Sequence, residues 1–185
     1  MMTVPTKLKL NNKGATLIEL MVILAIIAVL VSGSIVAFNV LNGSNLKNAA
    51  RTTGSFLETT RTKTMSVVAD AWYYTLTRDG DNYYTEIYKV YTDDTGATVE
   101  EKIEAEDLGF RVVGSIIADG SETEFADGDM LTIKFDQASG SVKIVDLDGT
   151  ELTPSENMIT IKFVSGAKEA SVDLYFVSGK VDIHY

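Results

Sequence analysis

The sequence predicts an α+β protein in which one long N-terminal helix is followed by an antiparallel β-sheet domain. Three patterns in its 185 residues support this expectation. An apolar run occupies residues 20–38, a one-sided apolar pattern with helical spacing continues to Val68, and beyond Asp70 the pattern alternates with a period of two. The first two patterns predict helix, and the third predicts strands.

The apolar run is long enough to cross a membrane. Residues 20–31 contain no polar side chain, and after Ser32, Gly33 and Ser34 the apolar character continues to Phe38. At about 1.5 Å per residue, a helix over this run spans a hydrocarbon core of roughly 30 Å. The first fourteen residues contain three lysines and no acidic residue, so the N-terminus is expected in the cytoplasm and the chain after Phe38 outside it.

A single carboxylate, Glu19, stands at the start of this run. A carboxylate at the centre of a bilayer costs on the order of 3 kcal/mol, so Glu19 is expected at the interface or paired with a cation. One interpretation of the run and its glutamate is a plain membrane anchor with an interfacial glutamate. Another is an ordinary secretory signal peptide, cleaved at the small residues Ser32, Gly33 and Ser34. The chain has no cysteine, which excludes a lipoprotein signal.

The N-terminal string resembles the class III signal of type IV pilins and type II secretion pseudopilins. The resemblance rests on a basic leader ending in Gly14, the string from Thr16 to Leu20, and the apolar helix after it. It implies cleavage between Gly14 and Ala15 by a prepilin peptidase and N-methylation of Ala15. That family usually has phenylalanine at the first mature position, and Ala15 departs from this preference.

The same resemblance implies an assembly role for Glu19. Cleavage would create an ammonium group on Ala15, and pairing between adjacent subunits would neutralise both charges in a medium of low dielectric constant. The implied partners are the prepilin peptidase, other pilin or pseudopilin subunits through the N-terminal helix, and an inner-membrane assembly platform. The protein would reside in the cytoplasmic membrane and then in the filament.

Four segments are expected along the chain: a leader at 1–14, a transmembrane and assembly helix at 15–38, an amphipathic helix at 39–69 and an extracytoplasmic β-rich domain at 70–185. Gly43, between Asn42 and Ser44, costs about 1 kcal/mol relative to alanine in a helix, which predicts a kink or local melting there. The buried stripe of the amphipathic helix is expected to contain Leu46, Ala50, Thr53, Leu57, Thr60, Thr64 and Val68.

Strands are expected wherever the alternation is strong. Residues 72–77 and 83–91 form a predicted hairpin around the turn of Asp79, Gly80, Asp81 and Asn82. Further strands are expected at 110–117, 131–135, 142–147, 158–164, 171–177 and 180–184, and the acidic stretch 100–106 is left unassigned. This layout resembles the pilin fold across the whole chain. The tyrosine-rich hairpin and the late Ser178-Gly179 turn resemble the GspH/FimT group of minor pseudopilins.

The composition argues against an enzyme. The chain has one histidine, no cysteine and no glycine-rich phosphate motif, so neither a catalytic site nor a cofactor is expected. His184 is expected at the surface of a strand end. The net charge of −10 becomes more negative by three when the leader lysines are removed, which disfavours a nucleic-acid partner.

Two surface features leave alternatives open. The stretch from Asp146 to Glu151 resembles the start of a calcium loop but lacks two of its ligands, so turn chemistry is favoured over a metal site. The second feature is a tyrosine cluster, which alternation should divide into a buried set and an exposed set that could contact neighbouring subunits or a ligand. Its members are Tyr73, Tyr74, Tyr83, Tyr84, Tyr88 and Tyr91, with Trp72 beside them.

The expected function is that of a structural, non-enzymatic subunit, of the minor class, in a type IV pilus or a type II secretion pseudopilus. The alternative is an anchored minor pilin whose sheet acts as an adhesin or binds a secreted cargo. Pilus, secretion and competence machineries share the N-terminal signature, so the sequence does not select among them.

Overall fold

Helix α1, Leu17–Ser66, begins the part of the chain that the computed structural model describes, which comprises residues 17–67, 70–110 and 112–185. Side chains are described throughout these ranges except for residues 32–42 and Phe110. The chain divides into two units, Met1–Asn39 and Val40–Tyr185, and α1 contributes residues to both.

In the first unit, every described side chain of α1, over residues 17–31, is exposed. No helix among the described residues is long and apolar enough to cross a membrane. The expected span at 20–38 includes the side chains of residues 32–38, which lie outside the described ones.

The second unit contains two antiparallel sheets. The six-stranded sheet has the order β3-β2-β1-β6-β7-β8, and the five-stranded sheet has the order β11-β10-β9-β4-β5. The strands of the first are β1 Ala71–Asp79, β2 Asn82–Thr92, β3 Thr98–Phe110, β6 Met130–Phe135, β7 Val142–Leu147 and β8 Thr150–Glu151. Those of the second are β4 Val113–Ala118, β5 Ser121–Glu124, β9 Met158–Ser165, β10 Lys168–Tyr175 and β11 Val181–His184.

The core of this unit lies between the second half of α1 and the inner faces of both sheets. Alternation decides which strand residues face it: on β9, Ile159, Ile161 and Phe163 are fully buried while the residues between them are partly exposed. The helix lies close to the five-stranded sheet at Gly54, where a Cβ atom would lie 2.7 Å from Cδ1 of Ile183. This close approach explains a glycine in the middle of a helix.

The predicted α+β class, with a long helix followed by an antiparallel pilin-like domain, is confirmed. The buried stripe is also confirmed from Leu46 to Thr64, while Val68 lies outside the described residues. The predicted hairpin forms as β1 and β2, with Asp79 paired to Asn82 across the turn.

The structure differs from the sequence-based expectations at three places. Helix α1 continues through residues 42–44, so local melting at Gly43, one of the two outcomes expected there, is not observed. The acidic stretch 100–106, which the sequence left unassigned, is part of β3, because pairing with β2 supplies its backbone hydrogen bonds. The strand expected at 110–117 is two strands in different sheets, β3 ending at Phe110 and β4 beginning at Val113.

Candidate functional site

The predicted processing site, Gly14 and Ala15, lies outside the described residues. Glu19, the predicted assembly residue, lies in the first turn of α1 and is exposed. A negative side chain in the first turn is favourable because it faces the positive end of the helix dipole. The geometry of Glu19 is therefore compatible with an interaction at the N-terminal end of the helix.

Over residues 20–31, the surface of α1 is apolar on all sides. Its large hydrophobic side chains between Leu17 and Val31 are 47% to 73% exposed. A helix that is hydrophobic all round is stable only where a membrane or other protein surrounds it, and an exposed apolar surface of this kind marks an interaction site. This segment thus requires a surrounding apolar medium or partner helices.

The second half of α1 carries threonines on its buried face, where a hydroxyl without a hydrogen-bond partner is costly. Thr60 Oγ1 donates to the carbonyl of Phe56 at 2.7 Å, and Thr64 Oγ1 donates to the carbonyl of Thr60 at 2.8 Å. These bonds to the preceding turn satisfy the hydroxyls within the helix itself. The helix can therefore pack polar residues against the sheets at little cost.

A second group of buried hydroxyls is less well satisfied. The hydroxyls of Tyr74, Thr53 and Thr85 are buried, and none makes a hydrogen bond of ordinary geometry with a described residue. Burial raises the pKa of Tyr74 to about 12, and the neighbouring hydroxyls of Thr85 and Thr53 partly oppose that rise. Tyr74 is consequently held neutral in the core.

The tyrosine cluster divides as alternation predicts. Tyr74 and Tyr83 are buried, whereas Tyr73, Tyr84 and Tyr88 lie partly exposed on the outer face of the six-stranded sheet. The buried Tyr83 hydroxyl accepts a hydrogen bond from the backbone N–H of Gly114 at 2.9 Å, a contact that links β2 to β4. One set of tyrosines thus supports the core, and the other forms a surface.

The outer face carries a row of aromatic and cationic side chains across four strands. Tyr73 and Tyr88 stack with ring centroids 5.0 Å apart and an interplanar angle of 6°. Lys134 Nζ lies 5.4 Å from the Tyr73 ring centroid, and Lys102 Nζ lies 5.7 Å from that of Tyr88. Cation–π contacts of this type contribute about 0.5–1 kcal/mol each at exposed sites. Sequence alternation identified the tyrosines, but the lysines join them only through strand register.

The remaining candidates behave as structural residues. Asp146 Oδ1 accepts a hydrogen bond from the N–H of Gly149 at 2.9 Å, as expected for a turn. Within the described ranges, no group of three or more acidic or metal-ligating side chains is close enough to hold a metal ion. His184 Nε2 lies 3.0 Å from Asp173 Oδ2 at the exposed end of β11. That pairing places the histidine on a surface, where the sequence predicted it.

Comparison with known protein families identifies the N-terminal segment. Residues 9–35 match the family model of the prokaryotic N-terminal methylation motif. No curated protein and no solved structure matches the chain. The matched signal implies processing by a prepilin peptidase and assembly with other pilin subunits. The chain therefore carries, at residues 9–35, the class III signal of the type IV pilins and pseudopilins, a family of structural subunits.

Proposed function

We propose that this protein is a minor structural subunit of a type IV pilus or of a type II secretion pseudopilus. The observation that carries the proposal is the match of residues 9–35 to the N-terminal methylation motif. The exposed apolar surface of α1 over residues 17–31 supports it, because a polymer core of packed helices would bury this surface. The outward domain would then be the unit Val40–Tyr185.

The proposed pathway begins in the cytoplasmic membrane. Residues 20–38 cross the bilayer with the N-terminus in the cytoplasm, in keeping with the lysines of the leader. The prepilin peptidase cleaves between Gly14 and Ala15, and Ala15 is methylated. An inner-membrane platform then transfers the helix from lipid into the filament.

Glu19 supplies specificity in that transfer. Moving an apolar helix from lipid to a bundle of similar helices has little hydrophobic driving force, so packing and polar contacts must direct it. We infer that the Glu19 carboxylate pairs with the new amino group of a neighbouring subunit. Breaking such an ion pair costs more free energy in surroundings of low dielectric constant than in water.

Mass spectrometry of the mature protein isolated from membranes tests the pathway. The expected N-terminal residue is methylated Ala15, and a Gly14→Leu variant, as matched control, should retain its leader. A native product that keeps residues 1–14 would contradict the proposal. So would a product starting at Ser34 or Ile35, because that result would identify an ordinary secretory signal.

A second candidate function is adhesion or cargo binding by an anchored minor pilin. The row of Tyr73, Tyr88, Lys134 and Lys102 on the outer sheet face favours it, since partly exposed tyrosines and cations are common in recognition surfaces. Immunogold labelling separates the two functions. Labelling along the whole filament indicates a building block, and labelling confined to the tip indicates a binding subunit.

A further inference from the structure

An open groove lies where the end of α1 meets the six-stranded sheet. Its volume is about 760 Å³, and its apolar lining includes Met65, Trp72, Phe135 and Ile144. Met65 is 44% exposed. The groove thus combines an apolar floor with access from solvent, as interaction sites do.

Two lysines from adjacent strands border this groove. Lys134 on β6 and Lys143 on β7 are exposed, and neither forms a salt bridge with any carboxylate in the described ranges. Two carboxylates, Asp70 and Asp136, also line the groove. Asp70 is paired with Lys89, as described next, so Lys134 and Lys143 face Asp136 and the groove keeps an excess of one positive charge, in a chain whose net charge is −10.

Asp70 forms a salt bridge with Lys89, with 3.0 Å between Oδ2 and Nζ. Asp136 accepts hydrogen bonds from the backbone N–H groups of Ala138 and Ser139 and from the Ser139 hydroxyl. These bonds, led by the Ser139 hydroxyl, lower the pKa of Asp136, and the charge of Lys143 adds a smaller contribution. Asp136 therefore stays ionised and offsets one lysine of the groove, whereas the charge of Asp70 is offset by Lys89 outside the groove lining.

The complementary surface is strand β3 at the edge of the same sheet. Among the described strands, its thirteen residues pair only with β2, so one side of its backbone has no strand neighbour there. Glu100, Glu101, Glu104 and Glu106 are exposed and form no salt bridge with a described residue. Ile103, between them, is 39% exposed. The strand thus carries exposed carboxylates and one partly exposed apolar side chain along the edge of the sheet.

These two surfaces cannot meet within one molecule. Strands β6 and β7 are three and four positions from β3 in the sheet, a separation of about 14–19 Å at the usual strand spacing. Contact between them therefore requires two copies of the chain. Copies with a net charge of −10 repel each other in general, so a contact that joins acidic and basic surfaces would favour one relative orientation.

We propose that β3 of one subunit docks on the groove of the next, with its glutamates against Lys134 and Lys143 and Ile103 against Met65. The two surfaces differ, so the contact is heterologous, and contacts of this type build open helical assemblies when they do not close into a ring. This inference rests on the proposed function, because it names the surfaces through which outward domains of a filament touch.

Disulfide cross-linking tests the contact directly, because the chain has no cysteine of its own. The full-length Ile103→Cys and Met65→Cys double variant, expressed in the native host and oxidised on intact filaments, should give a ladder of disulfide-linked multimers. Neither single variant should give a ladder. The matched control combines Ile103→Cys with Met130→Cys, since Met130 is also 44% exposed but lies on β6 outside the groove. It should remain monomeric.

Charge reversal provides a second measurement. Lys134→Glu with Lys143→Glu should reduce filament recovery at least tenfold, and adding Glu100→Lys with Glu104→Lys should restore most of it. Circular dichroism confirms folding of each variant. The docking would be overturned if the test and control pairs gave equal ladders, or if the test pair gave none. Unchanged filament recovery after charge reversal would overturn it as well.

The parent protein distinguishes failure of the docking from failure of the function. If the cysteine-free parent is cleaved after Gly14 and recovered in filaments, but the test pair gives no ladder, only the docking is wrong. If the parent is neither cleaved nor recovered in filaments, the proposed function is wrong and the docking falls with it.

Discussion

Substitution of Tyr74 by phenylalanine tests whether the buried hydroxyl group strains the core. The Tyr74 side chain is fully buried, and its hydroxyl has no hydrogen bond of ordinary geometry to a described residue. Leaving a buried polar group without a partner costs about 1–3 kcal/mol. We therefore expect Tyr74→Phe to be as stable as the parent at pH 7, or more stable by about 1 kcal/mol.

The same substitution should alter the alkaline end of the stability profile. The pKa of Tyr74 is about 12 in the folded protein against an ordinary value of 10, because burial disfavours the phenolate. A group with a raised folded pKa contributes stability that is fully present below the unfolded pKa, here pH 10, and is lost as the pH rises towards 12. The loss of unfolding free energy over that window is on the order of 3 kcal/mol, at about 1.4 kcal/mol per pKa unit. The Tyr74→Phe variant should not show this loss of stability, because it has no phenol to ionise.

The assay is urea unfolding of the unit Val40–Tyr185, with the free energy of unfolding measured at pH 7, 9 and 11 for parent and variant. Subtracting the unfolding free energy of the variant from that of the parent at each pH removes the contribution of the other titrating groups. Tyr83→Phe is the matched control, because the Tyr83 hydroxyl accepts a hydrogen bond from Gly114 that the variant would leave unmade. It should lose about 1–3 kcal/mol at pH 7. A Tyr74→Phe variant that loses as much, or that keeps the parent's alkaline loss, would refute the reasoning.

Three further predictions concern assembly, backbone strain and metal binding. Glu19→Ala should still be processed and membrane-bound but absent from sheared filaments; normal incorporation would contradict the charge-pairing mechanism. Gly179→Ala should lose roughly 3 kcal/mol or more, because its Cβ would lie 1.9 Å from the Gly140 carbonyl oxygen at a φ of 62°. Gly80→Ala, at a φ of 61° with nothing within 4 Å, should lose only about 1–2 kcal/mol in the same urea titration. Calcium should leave the melting temperature unchanged because the Asp146 carboxylate serves its own turn, and a rise of several degrees would reveal a metal site.

Local patterns predicted those features of this protein that depend on a single segment. The helical stripe from Leu46 to Thr64 and the alternation along β1 and β2 are visible in the sequence because burial of one face imposes a fixed period. The N-terminal signal is a contiguous string, so it too could be identified without a structure. Cleavage after Gly14, methylation of Ala15 and the role of Glu19 stay predictions.

The candidate surfaces depended on contacts that no local pattern contains. The stack of Tyr73 on Tyr88 and the lysines at its ends follow from the register of four strands, and register is decided by pairing between distant segments. Trp72 and Met65 come together at the groove in the same way, through packing of the end of α1 near the sheet.

The sequence by itself determined the class of the fold, the division of the tyrosines into a buried and an exposed set, and the presence of a class III signal. Only the tertiary structure decided that the strands form two sheets, that the acidic stretch becomes the edge strand β3, and that Lys134 and Lys143 meet at one groove. The physical reason is that periodicity reports whether a residue is buried, whereas the choice of a strand's neighbours depends on long-range backbone pairing and side-chain packing.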